Sequence, residues 1–215
     1  FGASRLQTRS LGDSTAPVDE ITNPSAITTA AAGSHGFLTS GRTGVISQRM
    51  FAIPSSVDQV QTLWNQGIGE GWSSFTVAGN RAVTLEQRGE LECVTCYRLS
   101  DGELLWIESH QARHENTLGG IGPRSTPTID NGRVYAQGAT GHLWCLDLET
   151  GKPHWTVDLL DLAGWNQTQS EARITWGRAG SPLLVDAAPG IGPRLCVVPY
   201  GGPDLNTATG RSLIA

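Results

Sequence analysis

The chain has 215 residues, with 15 Lys and Arg against 20 Asp and Glu, a net charge of −5, and Lys152 as its single lysine. That balance, with no basic stretch, argues against nucleic-acid binding, and no apolar run approaches the ~18 residues of a membrane-spanning helix. The 27 Gly, 11 Pro and 7 Trp, with only 16% charged residues, point to an all-β chain rather than to one of periodic helices.

Residues 1–36 are rich in Ser, Thr, Ala and Gly without a sustained period, which predicts a flexible leader or linker. Residues 37–71 follow as an N-terminal segment. Phe37 to Ile53 carry Gly turns and scattered apolar residues, and are expected to drape over the fold or supply a strand to it. The stretch LWNQGIG from Leu63 to Gly69 reads as an outer strand with Trp64 packed inward.

A repeated unit then begins. The first copy, at 72–109, predicts strands at 74–77, 81–86, 91–97 and 104–107. The second, at 125–159, predicts strands at 126–129, 133–137, 142–147 and 153–157. Cys96 matches Cys145, Gly102 matches Gly151 and Trp106 matches Trp155, which sets a period of about 49 residues, in the range of four-stranded propeller blades. A third copy at 177–215 is cut short, because Ala215 falls where Cys96 and Cys145 sit. The expected architecture is therefore a partial β-propeller, a fragment of a longer ring, since closure takes about four to eight blades.

The turns AGN, SDG, DNG and ETG are polar and Gly-bearing, as hairpins with positive φ require. They lie at one end of the strands. The other end receives Glu86 to Glu90, Thr140, Gly141 and the long connections 108–124 and 158–180, read as loops. Connections of that length are more often functional, so a site is expected on this loop face. Asp130–Asn131–Gly132 is read as a hairpin turn rather than a calcium loop.

Four cysteines are present. Cys93 and Cys96 form a CxxC, but three apart on one strand they point to opposite faces. No second pair completes a zinc site, so both are read as small buried residues, as are Cys145 and Cys196.

The segment CLDLETGKPHW, from Cys145 to Trp155, resembles the Ala-x-Asp-x-x-Thr-Gly-x-x-x-Trp docking motif of propellers with pyrroloquinoline-quinone-like repeats. Asp147, Thr150, Gly151 and Trp155 match, and Cys145 replaces the usual Ala. In the first copy Gly102 and Trp106 match, while Arg98 stands for Asp and Asp101 for Thr. The resemblance covers roughly residues 60 to 215, through GEGWSSF, GPRSTPTI, GATGHLWCLD and WGRAGSPLLVD. It implies that each Trp stacks on a peptide of the neighbouring blade and that Thr-Gly closes the turn.

The same superfamily holds quinoprotein dehydrogenases and cofactor-free scaffolds such as the outer-membrane assembly lipoprotein. The resemblance implies a non-catalytic scaffold or binding module of the periplasm or cell envelope. It would hold a protein partner or small ligand at the loop face without a cofactor or metal, and no catalytic residue is assigned. The alternative is an oxidoreductase acting on an alcohol or sugar with pyrroloquinoline quinone and calcium. The absence of adjacent cysteines argues against its alcohol-dehydrogenase subtype, and a glycan-binding propeller is compatible with the aromatic content.

Loop-face candidates are Glu86, Gln87, Arg88, His110, Arg113, His114, Arg124 and Trp176. Arg124 precedes an innermost strand and can hold a ligand carboxylate in a bidentate pair, or else pair with Glu86 or another loop carboxylate to fasten blades. Trp176 can stack on a flat ligand, or else pack at a blade joint. Arg124 and Trp176 are the cofactor-binding candidates. His110 and His114 have a zinc-like spacing only on a helix, and Asn116 with the Gly119–Gly120 pair favours a loop. Glu86 and Glu92 are too far apart along the blade to read as an acid–base pair.

Overall fold

A computed structural model of the chain describes residues 36–38, 42–44, 55–188, 191–201 and 213–214. Apart from Gly36, the expected leader at 1–36 lies outside the described residues, as does most of 37–53. The first four-stranded antiparallel sheet runs in chain order through β1 (Thr76–Ala78), β2 (Arg81–Arg88), β3 (Leu91–Arg98) and β4 (Leu104–Gln111). A short hairpin, β5 (Glu115–Asn116) with β6 (Gly120–Ile121), follows. The second sheet is formed by β7 (Thr128–Asp130), β8 (Arg133–Gln137), β9 (His142–Asp147) and β10 (Pro153–Asp158). Two helices, α1 (Leu159–Ala163) and α2 (Gln167–Arg173), lead to a third sheet of β11 (Leu183–Ala188), β12 (Ile191–Pro199) and β13 (Leu213–Ile214). The protein is a partial β-propeller of four-stranded blades. Among the described residues no helix is long and apolar enough to cross a membrane.

Strand register reproduces the repeat read from the sequence. Trp106 pairs with Cys96, and Trp155 with Cys145. In both sheets the pairing then slips by one residue, leaving Leu105 and His154 as bulges at equivalent places. Such a bulge adds local twist to the outer strand and re-aims its side chains. At the 130–132 turn, Asn131 at φ 47° and Gly132 at φ 71° both take left-handed backbone, the geometry of a tight hairpin.

The blades pack face to face. Val83, Leu85, Val94 and Cys96 of the first meet Ile129, Val134, Ala136, Trp144, Leu146 and Leu148 of the second. Smaller clusters of Leu143, Leu159, Val198 and Tyr200, and of Tyr135, Cys145 and Leu184, join the second to the third. A repeated polar clasp links the innermost strands. The Thr76 hydroxyl donates to the Pro127 carbonyl at 2.6 Å, and the Thr128 hydroxyl donates to the Pro182 carbonyl at 2.6 Å. Cβ atoms that alternate across each strand let one face serve each neighbour. Cys93 and Cys96 accordingly sit opposite Glu86 and Val83 on different faces, both fully buried and free. Cys145 is buried and Cys196 half-buried, and burial pushes the thiols of Cys93, Cys96 and Cys196 up to about 11.

The two long connections are more ordered than the loops expected. β4 continues to Gln111, and 158–180 contains both helices. The helix starts were written in the sequence. Asp158 caps α1 by accepting the Leu160 N–H at 2.8 Å, and Asn166 with Gln169 forms a reciprocal capping box on α2. Without a long apolar period to accompany them, these caps did not stand out. Near the N-terminus, Gly36 lies against Thr128, and Arg42 donates to the carbonyls of Ser181 and Pro182.

Candidate functional site

The docking residues fix how the blades present the loop face. Asp147 Oδ1 accepts from the Thr150 hydroxyl at 2.7 Å and the Thr150 N–H at 2.8 Å, which locks the ETG turn. The turn brings Gly151, at φ 71°, beneath the indole of Trp106, where a Cβ would stand 2.6 Å from the ring. Trp106 Nε1 donates to the Leu148 carbonyl at 3.0 Å. One blade earlier, Trp64 donates to the Leu99 carbonyl at 2.9 Å and covers Gly102 in the same way. There the Asp and Thr of the motif are replaced by an ion pair between Arg98 and Asp101 at 2.9 Å, with Glu103 also on Arg98. Trp155 lies beside Tyr135 with ring centroids 6.1 Å apart. It lines a cavity of about 350 Å³ with Leu143, Val157, Leu159, Leu162 and Arg194.

On the loop face, Glu86 and Glu92 of the first blade face opposite ways. Glu86 is buried and accepts from the Thr95 and Tyr97 hydroxyls, the Gly69 N–H at 2.6 Å and Arg88 at 3.0 Å. Burial raises its carboxyl, but these four donors outweigh that and hold it below the usual range. The pairing of Arg124 with Glu86 is not formed, because Glu86 is already saturated by donors from its own face. Glu92 points toward the second blade. It is fully buried and accepts the Ala139 N–H at 2.6 Å and the Thr140 hydroxyl at 3.0 Å. Burial lifts its carboxyl to about 7, against those hydrogen bonds and the charge of Arg178.

Gln87 is also structural. Its amide donates to the carbonyls of Ala112 and Gly89, at 2.8 and 3.0 Å, tying the chain after β4 back onto β2. Arg113 lies at the rim on the Gly89 carbonyl and Glu115.

Arg124 and Trp176, singled out separately in the sequence, meet at Gly119. A Cβ there would overlap Nη2 of Arg124 and stand 3.0 Å from Cε3 of Trp176. Both terminal nitrogens of Arg124 are shielded from solvent and have no hydrogen-bond partner among the described residues. Trp176 is half exposed beside them. His114 completes this corner. It is buried, hydrogen-bonded to the backbone of Trp176, and its Nε2 is unpartnered among the described residues. Burial pushes its imidazole down, and the Arg124 charge adds to that.

His110 turns away from His114. Its ring stacks on His142 of the second blade, centroids 4.0 Å apart and planes 12° from parallel, with Trp144 edge-on to both. Asp158 lies within the same group. Burial drives the His142 imidazole down to about 4, His110 adding to the effect and Asp158 opposing it. Nothing in the spacing of His110, His142 and Asp158 announces this meeting, because the residues come from two blades.

The twisted four-stranded blades, the repeated Trp-over-Gly docking and the polar clasp define a propeller built of pyrroloquinoline-quinone-like repeats. Residues 53–182 match the family profile described as outer membrane protein assembly factor BamB, and the chain belongs to that family. No curated protein matches the chain in sequence. Among solved structures, a europium-containing methanol dehydrogenase is similar at 16% identity and TM-score 0.39, over 58% of this chain and 19% of its own. A quinohemoprotein alcohol dehydrogenase from Pseudomonas putida is similar at 18% and 0.40, over 63% and 18%. BamB from Moraxella catarrhalis is similar at 18% and 0.26, over 58% and 44%. The chain thus spans less than half the length of each.

Proposed function

We propose that this protein is a non-catalytic binding module of the cell envelope, which holds a partner at the corner formed by Arg124, Trp176 and His114. The observation that carries this reading is the Arg124 guanidinium, shielded from water with no partner among the described residues for either terminal nitrogen. A shielded cation without a counter-charge costs stability, and a carboxylate from a partner would relieve it through two parallel hydrogen bonds. Trp176 adds an exposed flat surface next to that charge, the pairing of aromatic and Arg that anchors interfaces.

The rival reading, a quinoprotein oxidoreductase, gains from the same two residues, because an indole and a guanidinium suit a flat anionic quinone. The calcium it also needs is not matched by Glu86 or Glu92. Glu86 is saturated by Thr95, Tyr97, Gly69 and Arg88, and Glu92 is committed to Ala139 and Thr140.

Calorimetric titration of the full-length protein with pyrroloquinoline quinone, with and without calcium, and separately with acidic peptides, tests the reading. Saturable peptide binding that is lost in Arg124→Ala supports the module. Calcium-dependent binding of the quinone at micromolar concentration, lost in the same variant, would replace it with the oxidoreductase.

A further inference from the structure

We propose that His110, His142 and Asp158 form a binding site for a divalent transition metal of the zinc class, and that the metal joins the first blade to the second. His142 at the start of β9 and Asp158 at the end of β10 are cross-strand partners, so both side chains rise from one face of the second blade. His110, near the end of β4, enters from the first blade and lays its ring on His142. One ligand atom from each of the three lies within 4.8 Å of the others. A tetrahedral zinc with bonds of about 2.0–2.2 Å needs its donors about 3.4 Å apart. Closing to that spacing turns the two imidazoles out of their 12° stack, so that each ring plane contains the metal.

Three further observations point to a ligand. Nδ1 of His142 is shielded and has no hydrogen-bond partner among the described residues, which plain ring stacking leaves unexplained. Asp158 is already oriented, because its Oδ1 is fixed by the Leu160 N–H at 2.8 Å as the cap of α1. Such a hydrogen bond holds a metal-ligating carboxylate in place. Trp144 walls one side, while the three ligands stay half-buried and open to solvent on the other. Two imidazoles and one carboxylate select zinc, cobalt or nickel over calcium or magnesium. Three protein ligands leave a fourth position for water or for a donor from a partner.

The test uses tag-free, EDTA-stripped protein titrated with cobalt(II) and then zinc. The expected result is one equivalent of cobalt per chain, with intense visible d–d absorption of a low-coordinate ion. Zinc should displace it and raise the melting temperature. His110→Gln and Asp158→Asn should each weaken binding by about tenfold or more while keeping the wild-type circular dichroism, and His154→Gln, on an exposed part of β10, should not. The proposal is overturned if both ligand variants bind cobalt like the wild type. A thiolate-to-cobalt charge-transfer band would overturn it too, by placing the metal on cysteine.

Discussion

The indole of Trp106 lies across Gly151 of the next blade, close enough that a Cβ would stand 2.6 Å from the ring. The contact is made twice over, since Trp64 covers Gly102 in the same way. Gly151→Ala should destabilise the purified protein by about 2 kcal/mol or more, because the new methyl meets both the indole and a left-handed φ of 71°. Trp106→Phe keeps a ring but strands the Leu148 carbonyl, and should cost about 1 kcal/mol. Urea unfolding measures both, and equal midpoints for Gly151→Ala and wild type would contradict the docking geometry.

Glu92 makes stability fall as pH rises. The folded protein keeps its proton up to about pH 7, whereas the unfolded chain releases it near the ordinary 4.5. Stability is therefore highest below that ordinary value and declines until the folded carboxyl has ionised, by roughly 3 kcal/mol in total. Glu92→Gln keeps an acceptor for Ala139 and carries no titration. The difference in stability between Glu92→Gln and wild type should grow in the variant's favour from pH 5 to pH 8. A flat difference would contradict the assignment.

Glu86 has the opposite sign. Its folded carboxyl is held below the ordinary value, so its stabilising effect is present above 4.5 and is lost as pH falls through the folded value. Glu86→Ala should cost about 3 kcal/mol at neutral pH, because Arg88 and two buried hydroxyls lose their acceptor. Thermal melts of variant and wild type across neutral and acid pH should converge at the acid end.

Arg124→Met should leave stability unchanged or raise it by about 1 kcal/mol, since the native guanidinium is shielded and unpaired. Loss of peptide binding in the same variant would separate a binding role from a structural one. A large fall in the unfolding midpoint would instead mean that Arg124 holds the blades together.

The alternation of apolar residues, the hairpin glycines and the repeated Trp by themselves determined that this chain makes propeller blades. The strands expected at 133–137 and 142–147 coincide with β8 and β9, and Trp64 packs on the first blade as expected, although Leu63 to Gly69 forms no strand. Those features are local, since a strand's period and a turn's positive φ are written within a few residues. Helices α1 and α2 were also encoded, in the caps at Asp158 and Asn166, but their shortness left no period to read. Tertiary structure alone decided the rest. It carried Arg124 to Trp176 over Gly119, committed Glu92 to Ala139 and Thr140 of the second blade, and set His110 on His142 instead of near His114. The face a strand residue occupies follows from its parity, but the residue it meets on the next blade depends on how two twisted sheets stack.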